Sequence, residues 1–129
     1  EIMPSLVGSE MCIRDSGYIE LAKIDTFHMQ QYAYMIRRMK EIKESDGSSM
    51  LDNSLITYGA ALGDGATHQY YDLPMILAGG AQGQIKQGRF IRMKSGTLNS
   101  NLWLTLANLM GVEMNSFADS RGVVSDLWT

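Results

Sequence analysis

The sequence predicts an α/β fold, and three observations support this. Residues 17–44 carry apolar side chains at spacings of three and four, which is the period of a helix. Two short apolar runs, 54–60 and 74–78, are typical of buried strands. A second helical pattern covers residues 99–110. Helix, strand, loop, strand and helix in this order indicate an α/β protein with at least some parallel pairing.

The first helix has one apolar stripe, and a polar stretch at 45–49 predicts its stop. The stripe consists of Leu21, Ile24, His28, Tyr32, Met35, Met39 and Ile42. His28 lies on it, one turn after Asp25, and we expect His28 to be a hydrogen-bonded core residue. The alternative is that Asp25 orients its ring, as a carboxylate does behind a metal-bound histidine.

The loop between the two predicted strands carries the two polar residues that are the strongest candidates for a functional site. Gly63 and Gly65 let the backbone bend, so that Asp64 and His68 can converge. A carboxylate oxygen and a neutral imidazole nitrogen suit a divalent metal such as zinc. The alternative also stays open: Asp64 caps the loop by accepting backbone hydrogen bonds, and His68 is merely exposed.

Three further residues are weaker candidates for substrate binding or for supporting a metal ligand. Asp72 precedes the second strand, where it could add a ligand or equally cap a turn. Pro74, at the first position of that strand, removes no ladder hydrogen bond. Residues 89–94 alternate as an exposed strand or hairpin arm would, and this segment carries Arg89 and Arg92. The two arginines could bind an anionic group of a substrate, although a solvent-exposed edge strand explains them as well.

The second helix should begin at a polar cap and end at a glycine. Asn99 or Ser100 is the expected cap, and Gly111 is the expected stop. The inward side chains should be Leu102, Leu106 and Leu109. A turn at 117–122 and a short apolar tail complete the chain.

Residues 5–16 are set apart from this pattern. The segment LVGSEMCIRD within them back-translates into a sequencing-library adapter, so we predict residues 1–16 to be a disordered artefact. The only cysteine, Cys12, falls inside it, which leaves no disulfide elsewhere. With 11 basic and 14 acidic residues, the charge of −3 predicts no nucleic-acid binding. No apolar run is long enough to span a bilayer.

Three segments together resemble the C-terminal third of the HXXSHH family, bacterial proteins of unknown function that often carry an export signal. The segments are LAKIDTFHMQQYAYMIRRMK, LDNSLITYGAALGDGATHQYYDLPMILAGG and GRFIRMKSGTLNSNLWLTLANLMGVEMNSFADS. The resemblance runs in order through residues 17–129. It implies that these residues are the C-terminal part of one α/β domain.

That family in turn resembles the alkaline phosphatase and sulfatase superfamily, in which a loop after a strand carries metal ligands. The resemblance implies a three-layer α/β/α sandwich, with Asp64 and His68 as partial ligands. One departure matters, because the superfamily has histidine directly after the aspartate, whereas here Gly65 follows Asp64. The nucleophile and the remaining ligands of the superfamily have no match in this chain.

Taken together, the resemblance implies a fragment of an exported bacterial protein, periplasmic or secreted. At full length it would use zinc, calcium or manganese to hydrolyse a phosphate or sulfate ester, on a small molecule or linked to a polysaccharide. The fragment itself should be inactive. The alternative is an exported binding or assembly module that keeps the fold without the chemistry. The oligomeric state stays open.

Overall fold

The computed structural model describes residues 15–128, which form a mixed α/β structure. The regular elements are α1 (Asp15–Glu41), β1 (Ile56–Gly59), β2 (Met75–Ala78) and α2 (Asn99–Leu109). Single 3₁₀ turns lie at Ala81–Gly83 and Ser125–Leu127. The predicted combination of helices and strands is therefore confirmed, whereas the three-layer α/β/α sandwich stays a prediction. Residues 1–14 lie outside the described part, and so does most of the predicted artefact.

Helix α1 ends three residues before the predicted stop, because the chain turns back on itself there. The Met50 N–H donates to the Ile42 carbonyl at 3.0 Å, and Lys43 pairs with Ser49 in an antiparallel bridge. Asp46 accepts from the Ser48 N–H at 2.9 Å, which closes the turn. The polar stretch at 45–49 is thus the tip of a tight reversal, as predicted.

Two compact units make up the chain, and the first contains α1 as far as Arg38 together with Thr57–Ile76. Its best-buried side chain is Tyr32, whose ring centroid lies 5.2 Å from that of Tyr58 on β1. Burial raises the pKa of the Tyr32 hydroxyl. The predicted stripe is only partly buried, since Ile24 and Met35 are exposed.

The second unit, Met39–Ile56 with Leu77–Thr129, holds the main apolar cluster of the described residues. Its buried members are Ala81, Ile85, Leu106 and Leu109, with Leu55, Leu77, Leu102 and Leu127 packed against them. The inward orientation of the α2 leucines is thereby confirmed. Gly79 and Gly80 let β2 continue into this core, because a side chain at either position would overlap the backbone of Ser54 or Asp52.

Within residues 15–128 the sheet has two strands, β1 and β2. The hydrogen bonds at its two ends show that these strands run antiparallel. The Ala60 N–H, just after β1, donates to the Pro74 carbonyl just before β2, at 3.3 Å. At the other end, the Ala81 N–H donates to the Ser54 carbonyl at 3.3 Å. The expected parallel pairing is wrong for these strands. The segment between them folds back as a long hairpin, whereas parallel strands need a crossover.

Helix α2 begins one residue earlier than a polar cap would place it. Leu98 is the N-cap, no side chain caps this end, and the expected cap at Asn99 or Ser100 is wrong. The C-terminal stop is confirmed. Gly111 has a φ of +80°. The Val112 N–H bonds the Ala107 carbonyl at 2.9 Å, which gives a Schellman ending.

A polar stripe on α2 holds the C-terminal tail. Asn101 Oδ1 accepts from the Arg121 N–H at 2.8 Å, and Thr105 Oγ1 accepts from the Val124 N–H at 2.7 Å. Asn108 both donates to the Met114 carbonyl and accepts from its N–H. These three side chains lie at i, i+4 and i+7, so one face of α2 binds the tail while another packs into the core.

Candidate functional site

The hairpin between β1 and β2 is the candidate site that the sequence predicts. Beyond Ala60 it narrows, with Asp64 and Gln69 paired in an antiparallel bridge. The Gly63 N–H donates to the Gln69 carbonyl at 2.7 Å, and the Gln69 N–H returns to the Asp64 carbonyl at 3.0 Å. The segment from Asp64 to Gln69 is therefore a closed turn at the tip of the hairpin.

Gly63 is needed in this turn, but for a reason other than the predicted bend. A side chain there would overlap the Tyr71 carbonyl oxygen across the hairpin. Open space surrounds the corresponding position at Gly65, where nothing lies within 4 Å of an added Cβ. The close approach of the two arms at Gly63 is what brings the tip residues together.

Asp64 caps the tip of the hairpin through both carboxylate oxygens. The Ala66 N–H donates to Oδ1 at 2.9 Å, and the Thr67 hydroxyl donates to Oδ2 at 2.9 Å. These hydrogen bonds, the Ala66 one foremost, lower the pKa of Asp64, so the carboxylate stays ionised. The capping alternative for Asp64 is thus what the structure contains. Each oxygen keeps a further lone pair for a cation.

His68 lies on the same turn as Asp64 and is exposed. Its backbone adopts a φ of +52°, a left-handed conformation that is uncommon outside glycine. The turn therefore presents an anionic carboxylate and an imidazole within five residues of each other, both open to solvent. Two ligands of this kind supply half of a tetrahedral zinc site.

His28 does not lie in the core, so that expectation is wrong. It is exposed on α1, and its ring meets Phe27 edge-on, with centroids 5.7 Å apart. The structure contains no hydrogen bond between Asp25 and His28 either. The cause is that α1 is apolar on more than one side, so the 3.6-residue period alone could not select the buried side.

Asp72, Arg89 and Arg92 are all exposed and lie away from regular structure. Asp72 has a φ of +54°, which suits the turn-forming alternative. The predicted strand at 89–94 is wrong, because this segment is irregular. The Arg89 Nε–H donates to the Lys86 carbonyl at 2.8 Å and so closes a local loop.

A shallow groove of about 320 Å³ lies in the second unit, and the sequence did not predict it. Its lining residues are Gln84, Asn108, Leu109 and Trp128. The Gln84 amide donates to the Leu109 carbonyl at 3.2 Å, and the Asn108 amide binds Met114, so the polar groups serve the fold. The half-exposed Trp128 ring is the main surface the groove offers to a ligand.

Residues 15–128 contain neither a three-residue cluster of metal-ligating side chains nor a membrane-spanning helix. No three acidic, histidine or cysteine side chains in this range are grouped closely enough to hold a metal ion. No helix in the same range is both long and apolar enough to cross a bilayer, which confirms that prediction for the described residues.

Comparison with known proteins leaves the resemblance to the HXXSHH family and the phosphatase superfamily as a prediction. No protein-family model, no curated protein and no solved structure matches the chain.

Proposed function

We propose that the tip of the β1–β2 hairpin is part of a divalent-metal site, in a protein that hydrolyses phosphate or sulfate esters at full length. The observation that carries the proposal is the ionised Asp64 carboxylate, fixed by Ala66 and Thr67, with His68 on the same turn. Ligands held in advance by hydrogen bonds lose little freedom when a cation binds.

In this proposal Asp64 contributes one oxygen and His68 one ring nitrogen, and ligands from outside the described residues complete the site. The capping hydrogen bonds hold Asp64 in one orientation and keep it unprotonated. When bound, the metal would polarise the ester and stabilise the charge that develops on its oxygens. An ester carried by a small molecule or a polysaccharide, met in the periplasm or outside the cell, is the substrate that the resemblance favours.

Metal titration of the 129-residue chain, followed by histidine NMR signals and calorimetry, tests this proposal. We expect zinc to shift the His68 signals and paramagnetic manganese to broaden them, with weak affinity because only two ligands are present. Asp64→Asn is the informative variant, because the amide oxygen can still cap Ala66 while the negative charge is lost. Metal binding should be reduced in Asp64→Asn and in His68→Ala.

Asp46→Asn is the matched control for this experiment. Asp46 also caps an exposed turn, accepting from the Ser48 N–H at 2.9 Å, and its pKa is lowered chiefly by its bonds to Ser48. Its substitution should leave metal binding unchanged. Equal effects of the two substitutions, or binding that survives His68→Ala in full, would rule out the proposed ligand pair.

A second function, an assembly module, is favoured by a different observation. Large apolar side chains on α1 are exposed, among them Phe27 at 56% and Tyr34 at 58%. Exposed apolar clusters of this kind mark surfaces that contact other proteins. The metal experiment separates the two proposals, because a pure assembly module has no reason to bind zinc through Asp64.

A further inference from the structure

Helix α1 has a second face, distinct from its buried one, that follows a coiled-coil pattern. The buried face is marked by Tyr32, which is 8% exposed. Phe27 lies five residues earlier, about 140° around the helix axis. Along that second side, exposed residues alternate at spacings of four and three. We call them the seam residues: Glu20, Ile24, Phe27, Gln31, Tyr34 and Arg38.

The apolar seam residues are spaced as in an interhelical contact, and they are exposed in the described chain. Ile24, Phe27 and Tyr34 are 52%, 56% and 58% exposed. Alternating spacings of three and four keep side chains on one line of a helix, where they can pack against another helix.

We propose that the seam of α1 pairs with the seam of a second copy of this chain, in the antiparallel direction. In a twofold antiparallel pair centred on residue 29, position i faces position 58 − i. Glu20 then faces Arg38 of the second copy, and the same ion pair occurs again at the other end. Ile24 faces Tyr34 of the second copy in the layers between them.

The charges of Glu20 and Arg38 favour the antiparallel pair over a parallel pair. A parallel pair in register would set Glu20 against Glu20 and Arg38 against Arg38, which are like charges at both ends. The antiparallel pair converts both contacts into opposite charges. The inference is independent of the proposed metal site, since no seam residue belongs to the hairpin.

The association should be weak and should depend on concentration. The seam runs from residue 20 to residue 38, about 27 Å of helix, so it buries less than a standard protein interface. Lys23 and Arg37 flank the seam and approach each other in the pair, which opposes binding. Lys23 is already bonded to Glu20 at 2.7 Å. We expect a dissociation constant of roughly 10–100 μM.

Sedimentation equilibrium of the 129-residue chain, from about 10 μM to 1 mM and under reducing conditions, tests the pairing. Reduction prevents a disulfide through Cys12. The wild-type chain should be in monomer–dimer equilibrium. Glu20→Arg and Arg38→Glu should each weaken dimerisation about tenfold, because each turns both ion pairs into like-charge contacts. The double variant, Glu20→Arg with Arg38→Glu, should restore the wild-type constant within about threefold.

Two further variants make the outcome decisive. Glu113→Arg reverses an exposed charge outside α1 and should leave dimerisation unchanged. Phe27→Ser should weaken it without any change of charge, and circular dichroism confirms that each variant is folded. A wild-type chain that stays monomeric at 1 mM would overturn the proposal. A double variant no tighter than the single variants would overturn it too, and would leave the exposed face to a different protein.

Discussion

Helices α1 and α2 differ in how much of their surface the chain itself covers. From Gly17 onward, α1 buries only Tyr32, whereas the shorter α2 buries five of its 11 residues. Apolar content does not explain the difference, since Phe27 and Tyr34 of α1 are large and exposed. The surroundings explain it, because α2 has a leucine core on one side and a bound tail on another. Apolar positions on a helix therefore predict a contact surface, but not which chain supplies the contact.

The largest expected difference in stability between variants of the two helices comes from one aliphatic side chain in each helix. Leu104 of α2 is 2% exposed, and Ile24 of α1 is 52% exposed. Leu104→Ala should lower the free energy of unfolding by about 2–5 kcal/mol, because it leaves a cavity in packed surroundings. Ile24→Ala should change it by less than about 0.5 kcal/mol in the monomer. Urea unfolding at low protein concentration measures both, and similar losses would contradict the contrast.

Two threonines, one in each helix, test the comparison through a loss of stability of intermediate size. Thr26 in α1 and Thr105 in α2 each donate to the carbonyl four residues earlier, both at 2.6 Å. Only Thr105 also accepts a bond, from the Val124 N–H. Thr105→Val leaves that buried N–H without an acceptor and should cost about 1–3 kcal/mol. Thr26→Val is the matched control and should cost less than about 0.5 kcal/mol.

Amide exchange at Val124 is the local measurement for the same pair. In Thr105→Val the Val124 amide should exchange markedly faster, while Thr26→Val should leave it unchanged. An unchanged Val124 amide in Thr105→Val would show that the tail is held by other contacts.

The smallest expected effect is a response to acid in two turns that an aspartate caps. Hydrogen bonds to Ser49 lower the pKa of Asp52, and those to Ala66 and Thr67 lower that of Asp64. A carboxylate with a depressed folded pKa stabilises the fold above its unfolded value of 3.8, and this contribution disappears as pH falls through the folded value. Carboxyl carbon NMR titration should give midpoints for Asp52 and Asp64 below the ordinary aspartate value of 3.8. Midpoints at or above that value would contradict the capping geometry.

The sequence predicted the ends of elements correctly where a single residue type determines the local backbone conformation. Gly111 ends α2 because a left-handed residue is needed there, and Pro74 stands just before β2. The expected N-cap failed because Leu98 occupies that position without a side-chain hydrogen bond. The strand at 89–94 failed because alternation alone supplies no neighbouring strand to pair with.

For the candidate site, the sequence predicted candidate residues but not how they are arranged. Both roles for Asp64, ligand and loop cap, were visible in the sequence, and the cap is formed. The misplacement of His28 has the same origin as the contrast between the helices, since α1 has two apolar sides. The polar stripe of Asn101, Thr105 and Asn108 was missed, although its spacing of four and three was a readable signal.

Hydrogen exchange measured at several protein concentrations tests the central claim, that α1 carries a contact surface which α2 lacks. Amides between residues 20 and 38 should exchange more slowly as the concentration rises, because pairing suppresses the opening of α1. Amides of α2 in the same samples are the internal control, and their rates should stay constant. Exchange in α1 that is independent of concentration, with α2 equally constant, would contradict the account.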